Sequence, residues 1–484
     1  MSTTLDATVE SIPPEVQKKA RFYQTIAQSS RKRAAGTAQN PTPSPIPIPI
    51  PVVIGSRFLI WKQDPSVTDP GIRPIFIPTL VLTGPTDGRI TTELAGTTPV
   101  APDVNRDFIF TPGTPGFDCA HAFAVVRSTL TMYQRVRGGA PLPWAWNTGG
   151  NTDPITVFPR AGVTANAFYS RDLKALKFFF FTPAGATQPI YTCRSLDIVA
   201  HECGHGVLDG LKPGWLGGAG NPPQTGGLHE SFGDLTAIFL ACSQLDQVEA
   251  AIALTKANLH AKSNFLAALA EQFGAALGFP QGLRNADNDL KLSQVGNEVH
   301  AISQVFTGGI YDVLADIFAF EKNRQATTKD PARVLLEVSS QLCSLLIEGI
   351  LAAPASRATY ADVVNQMLKA SATRGEPAIY RTFIRSRFTF REVVVSPTPL
   401  TAMMEGRIDY GNPQYSEGND DLQLEAHKHA SDNAPQDRST CCGTMQRPEY
   451  TIGDADTLRS GAAVTQKDVL SAEWADLPEA FSKK

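Results

Sequence analysis

The sequence predicts an α+β fold in two lobes, and three observations carry that prediction. Short apolar runs separated by Gly and Pro turns fill the stretch from Val53 to about Phe181. They are Phe58-Leu59-Ile60-Trp61, Ile75-Phe76-Ile77, Leu80-Val81-Leu82 and Leu176 through Phe181. One helical segment, 117–134, interrupts them. From Ser195 onward the apolar spacing turns helical, and after Glu230 it stays so over Asp234–Cys242, Gln247–Leu277, Val299–Phe320, Pro331–Ile350 and Tyr360–Ala370. The expected organisation is an N-terminal extension with a Pro-rich linker (1–54), a β-rich lobe ending in a central helix (55–210), a mainly helical lobe (211–400) and a polar tail (401–484).

Each part has a local reason. Residues 14–34 read as a short basic helix with a solvated face. Residues 41–52 alternate Pro with Ile, Thr or Ser and form a stiff, extended spacer. The central helix has Ser195 as N-cap, Asp197 in its first turn, Leu196, Val199, Cys203 and Val207 on one face, and Gly210 as its expected stop. Beyond Ser396 hydrophobic density falls, and His427, His429 and the vicinal Cys441-Cys442 have poor spacing for a tetrahedral metal.

Composition bounds the function. Hydrophobic residues make up 42% and charged residues 19%, as in an ordinary globular protein. The 43 basic and 47 acidic side chains leave a net charge of −4, with no basic stripe for nucleic acid or an anionic membrane. Seven cysteines, an odd number without framework spacing, suit a reducing compartment. Residues 1–28 hold no apolar signal core, so a cytoplasmic location is expected, with export by a non-classical route invisible to such a reading. No run of about 18 apolar residues offers a membrane span, and the prolines of Ile46 through Pro51 forbid a helix there.

The chemistry concentrates in His201-Glu202-Cys203-Gly204-His205. Two histidines at i and i+4 stand on one helix face and can reach one ion, while Glu202 borders that ion without ligating it. A catalytic tetrahedral site needs a third protein ligand and an open fourth position. Glu230, in His229-Glu230-Ser231-Phe232-Gly233-Asp234, completes a two-histidine, one-carboxylate set. Asp234, one turn on, is placed to accept the second N–H of a ligand histidine. The set predicts one zinc per chain, with Glu202 taking a proton from water in the fourth position and later delivering one to a leaving amine.

These motifs resemble the thermolysin-like zinc metalloproteases, a gluzincin family. Asp118-Cys119-Ala120-His121, with Val125, Thr129 and Tyr133, is similar to the family's buried helix. Asn166-Ala167-Phe168-Tyr169 is similar to its edge strand, and Val299-His300 with Ser303, Phe306 and Gly309 through Leu314 to its second catalytic histidine region. The likeness holds from about 117 to 320 and weakens to about 375. It implies the two-lobe architecture, hydrolysis of internal bonds in protein or peptide substrates, His300 as donor to the oxyanion, and Asn166, the Ala167 backbone and Arg284 as substrate contacts.

The sequence also departs from the family. His229 stands where Asn commonly supports a ligand histidine. The acidic partner before the second histidine is unmatched at Val295-Gly296, leaving Asn297 or Glu298 for that place. The 211–225 loop is long and glycine-rich, with Trp215 rather than a tyrosine as its nearest bulky residue. Of the family's calcium carboxylates only Asp197 is matched, since Leu240-Ala241-Cys242 falls where others are expected; calcium is doubtful. The missing signal raises the expectation that 1–54 or 401–484 masks the cleft. An aminopeptidase reading lacks its Gly-x-Met-Glu-Asn anchor. The alternative to an enzyme is a silent or latent zinc-binding protein acting as a binding or structural module, against which Glu202 argues.

Overall fold

The computed structural model describes residues 54–393 apart from 218, 219 and 263. The expectations on 14–34, 41–52, the tail with His427, His429, Cys441 and Cys442, and masking by either extension fall outside the described residues.

The fold is α+β. β1 (Ser56–Trp61) and β2 (Ile72–Ile77) form an antiparallel hairpin in which Ser56 faces Ile77 and Trp61 faces Ile72. Phe58 and Ile60 point into the core while Arg57 points out, the period of two that a half-buried strand requires. β3 (Ile90–Thr92), β4 (Ile155–Phe158), β5 (Ala167–Ser170) and β6 (Ala175–Phe178) make a four-stranded sheet in the spatial order β3-β4-β6-β5. β4 runs parallel to β3 and β6, and β5 lies antiparallel to β6 at the edge. β7 (Phe180–Phe181) and β8 (Ile190–Tyr191) pair separately.

The expected strand from Leu176 to Phe181 is therefore two strands. Phe178 pairs with Ala167 and Phe180 with Tyr191, and Phe179 turns fully inward between them. Leu80 and Leu82 are about half exposed and only Val81 is buried, so that run makes turns and isolated bridges rather than a strand.

α1 (Pro115–Val136) starts on Thr114, whose hydroxyl accepts from the Phe117 N–H, and Pro115 supplies a preset first turn. Asp118 in that turn binds Arg160 and Arg194. Next come α2 (Leu196–Leu211), α3 (Pro223–Cys242), α4 (Leu245–Thr255), α5 (Glu271–Ala276), α6 (Val299–Arg324), α7 (Pro331–Ala352), α8 (Tyr360–Thr373) and α9 (Ala378–Phe390). One buried apolar cluster runs from Phe58 and Phe123 through Val199 and Leu235 to Phe306 and Phe388.

Helix boundaries differ from the sequence reading where the backbone turns left-handed. Lys256 and Ala257, with φ of 53° and 57°, end α4, so the expected Gln247–Leu277 helix is broken. β9 (Ala268–Leu269) and β10 (Arg284–Asn285) flank short α5 within that region. α9 escaped the sequence reading because its arginine-rich composition dilutes the apolar stripe of Ile379, Phe383, Ile384 and Phe388. By length and hydropathy α7, or α3 and α4 taken together across a 93° bend, could cross a membrane. In α7, however, Val334, Leu335, Val338 and Leu342 pack inside the protein, as in a core helix.

Candidate metal centre

α2 carries the first motif and begins on Ser195, whose hydroxyl accepts from the Ile198 N–H at 3.5 Å. Leu196, Val199, Cys203 and Val207 all face the core. Gly210 is not the stop, since the helix runs to Leu211. A Cβ at 210 would lie 1.9 Å from the Pro143 carbonyl oxygen, so glycine serves close contact with the 143–144 backbone.

α2 meets α3 through two further glycines. A Cβ on Gly204 would lie 2.5 Å from Thr236 Oγ1, and one on Gly233 would lie 2.6 Å from the His201 ring. This close crossing brings Glu230 against both histidines. His201 Nε2 and His205 Nε2 are 3.0 Å apart, His201 Nε2 lies 3.4 Å from Glu230 Oε2, and His205 Nε2 lies 3.5 Å from Glu230 Oε1. Ligands about 2.0–2.2 Å from a tetrahedral zinc are separated by roughly 3.3–3.5 Å, so one ion fits this triangle. Neither Glu230 oxygen has a hydrogen-bond donor, although the residue is fully buried. A buried carboxylate so poor in donors leaves both oxygens available to a cation.

The outer contacts fix the rings. His201 Nδ1 lies 3.0 Å from Asp234 Oδ1, so its N–H donates there and Nε2 faces Glu230. His205 Nδ1 lies 2.8 Å from His229 Nδ1, which makes the buried His229 the corresponding acceptor.

His300, in the first turn of α6, is fully buried with Nε2 3.5 Å from Glu230 Oε2. Of the two residues open to the sequence reading, Glu298 holds it. Its Oε1 accepts from His300 Nδ1 at 2.5 Å, and its Oε2 caps the helix at the Ala301 N–H.

Electrostatics follow from these neighbours. Burial works against the Glu230 and Asp234 carboxylates, yet His300 and His205 around Glu230, and Arg284 and His201 around Asp234, hold both below their usual range. Burial also opposes a charged His201, but the carboxylates of Asp234 and Glu230 outweigh it and raise its pKa to about 9. His205 and His229 are pushed down by burial, His229 to about 4.

Arg284 is 5% exposed, which removes any surface-arginine reading. Its Nε lies 3.0 Å from both Asp234 oxygens and its Nη2 is 2.6 Å from Oδ1. Ala167 opens edge strand β5, and Asn166 Oδ1 accepts the Ala167 N–H at 2.8 Å. Ala167, His201, Glu202 and Arg284 line one cleft with Ile198, Phe273 and Leu283. Phe273 and its neighbour Leu269 were invisible to sequence reasoning because they fall where one long helix was expected. Trp215 is buried and its indole N–H donates to the Pro354 carbonyl, so it plays no part in the cleft.

Asp197 lies at the cleft wall beside Asp64 and Glu271, its Oδ2 accepting from the Ala270 N–H at 3.2 Å. Among the described residues, only His201–His205–Glu230 and His260–Asp287–Asp312 bring three candidate ligand atoms within 4.8 Å of one another. No protein-family model and no curated protein sequence matches this chain at a significant level.

Proposed function

We propose that the protein is a zinc-dependent metalloendopeptidase of thermolysin-like, two-lobe arrangement, its lobes 55–210 and 211–400 meeting at α2. One observation carries the reading: His201, His205 and Glu230 bring their ligand atoms to 3.0–3.5 Å of one another, and His201 lines a cleft together with Glu202. A purely structural site closes its fourth position with a protein ligand and needs no carboxylate beside the first one.

His201, His205 and Glu230 would hold the ion, which supplies Lewis acidity and an acidified water when bound. Glu202 is 1% exposed and shares the cleft with the His201 ring, so it takes the proton from the attacking water and returns one to the leaving amine. Burial opposes a charged His300, but Glu230 and Glu298 raise its pKa; as an imidazolium it donates from Nδ1 to Glu298 and keeps Nε2–H to stabilise charge developing on the scissile carbonyl oxygen. The outer edge of β5, with Asn166 and the Ala167 backbone, aligns an extended substrate as an added strand. Arg284, fixed by Asp234, contacts the substrate just past the reacting bond. Ile198, Phe273 and Leu283 give that part of the cleft an apolar wall.

The test is zinc content and casein hydrolysis, side by side, for the wild type and Glu202→Ala. Stoichiometric zinc in both, with activity only in the wild type and lost on chelation, supports the endopeptidase. Zinc in both and activity in neither turns the reading to a zinc-binding module.

A further inference from the structure

Away from the cleft, β2, the second half of α1, the end of α3 and α7 enclose a cavity of about 310 Å³. Its walls include Phe76, Met132, Phe239 and Leu336, and its lining shares no residue with the cleft beside the candidate metal centre. Phe76 is 50% exposed at its rim. Arg127 and Arg135 also line it. Arg127 is committed to Asp87 at 3.3 Å, whereas Arg135 has no side-chain partner among the described residues. A recess with apolar walls, edged by polar side chains such as Ser340 and by a guanidinium without a side-chain partner among the described residues, fits an occupant that presents bulky apolar side chains among acidic ones.

The chain carries such a segment in its own last residues. In 468–481, Leu470, Trp474, Leu477 and Phe481 are interleaved with Asp468, Glu473, Asp476 and Glu479. More than seventy residues separate it from Val393, and a flexible chain of that length spans on the order of 50 Å. We propose that the 468–481 segment docks in this recess, with Trp474 and Phe481 as apolar anchors and its acidic residues facing Arg135. Because no cleft residue lines the recess, this tail binds without covering the candidate metal centre. Covalent linkage gives the segment a high effective concentration, so a modest contact suffices to keep it bound. The inference stands independently of whether the metal centre is catalytic.

The test uses the full chain and a fluorescent peptide of residues 466–484. Trp474→Ala/Phe481→Ala, made in the full-length protein, vacates the recess. This variant binds the peptide, while the wild type, its recess filled, binds it at least about tenfold more weakly. Adding Arg135→Glu to that variant weakens binding by about tenfold, and added salt weakens it further. Hydrogen exchange supplies a readout that needs no peptide: protection over 127–136 and 239–244 falls in Trp474→Ala/Phe481→Ala relative to the wild type. Equal peptide binding by wild type and variant, binding indifferent to Arg135→Glu, or unchanged protection overturns the proposal. So does a concentration-dependent dimer that Trp474→Ala/Phe481→Ala abolishes, because the tail would then dock on a second copy.

Discussion

Two groups of histidine and carboxylate lie within metal-binding reach among the described residues, and their chemistry differs. Around His201, His205 and Glu230 the ligand atoms stand 3.0–3.5 Å apart and the Glu230 oxygens have no donors. Around His260, Asp287 and Asp312 the positive charges are already present. His260 Nδ1 lies 2.7 Å from Asp287 Oδ1, a hydrogen-bond distance too short for two ligands of one zinc. Arg391 Nη2 lies 2.8 Å from Asp312 Oδ2, and Arg387 grips Asp316 on the next turn. Proximity of ligand types is therefore a poor guide. Acceptors left without donors would distinguish a metal site from an ion-pair network.

The largest expected effect tests that distinction directly. His205→Ala should reduce zinc from stoichiometric to background in metal analysis and abolish peptidase activity. His260→Ala should leave zinc content and activity at wild-type levels. If both variants lose zinc equally, the two clusters cannot be separated in this way.

Glu202→Gln comes next. It keeps shape and burial but removes the base, so kcat should fall by about 10²–10⁴-fold with zinc retained. Loss of zinc along with activity would make Glu202 a ligand and redraw the triangle.

A smaller contrast lies in the outer contacts. Asp234→Asn should weaken zinc binding by roughly 10–100-fold in a chelator competition, because it removes the anion that orients His201 and leaves Arg284 unpaired. Asp287→Asn should leave zinc affinity unchanged and cost about 1–3 kcal/mol of stability, the usual loss for a buried charged hydrogen bond. Thermal melts of zinc-loaded protein separate the two.

Much of this was legible in the sequence for physical reasons. The helical repeat placed His201 and His205 on one face, and Ser195 capped the helix, because both rules are local. Glu230 and Asp234 were legible because their spacing of four residues puts them on one face of α3. Three features depended on tertiary contacts. Gly204, Gly233 and Gly210 look like ordinary helix weaknesses until the packed neighbours appear, and only then does Gly210 cease to be a stop. The break at Lys256 and Ala257 has no glycine or proline to announce it, so α5 and the Phe273 wall were hidden inside an expected helix. The choice between Asn297 and Glu298 rested on side-chain direction at a helix cap, which the alternation of residue types does not reveal.

A third acidic group sharpens the comparison with the smallest expected effect. Asp64, Asp197 and Glu271 each have a carboxylate oxygen without a donor, as Glu230 does, but no imidazole faces them. Asp64 Oδ1 accepts from the Ser66 and Gln272 N–H groups, and Asp234 adds repulsion towards Asp197. Burial first, then the mutual charge of Asp197, Glu271 and Asp64, pushes the Asp197 and Glu271 carboxyls well above the usual range. Their folded state then binds more protons than the unfolded one, so stability is complete below the ordinary carboxylate pKa of about 4 and falls as pH rises through the raised values. Glu271→Gln can still hydrogen-bond Asp197 but cannot ionise. As pH rises above the ordinary carboxylate range the melting temperature of the zinc-loaded wild type should therefore fall relative to that of Glu271→Gln, whereas the two should converge towards acid. Parallel curves above that range would mean that a cation, not a proton, balances these acids. Unmatched carboxylate oxygens alone would then suffice to mark a metal site, and the imidazoles would be needed only to choose zinc.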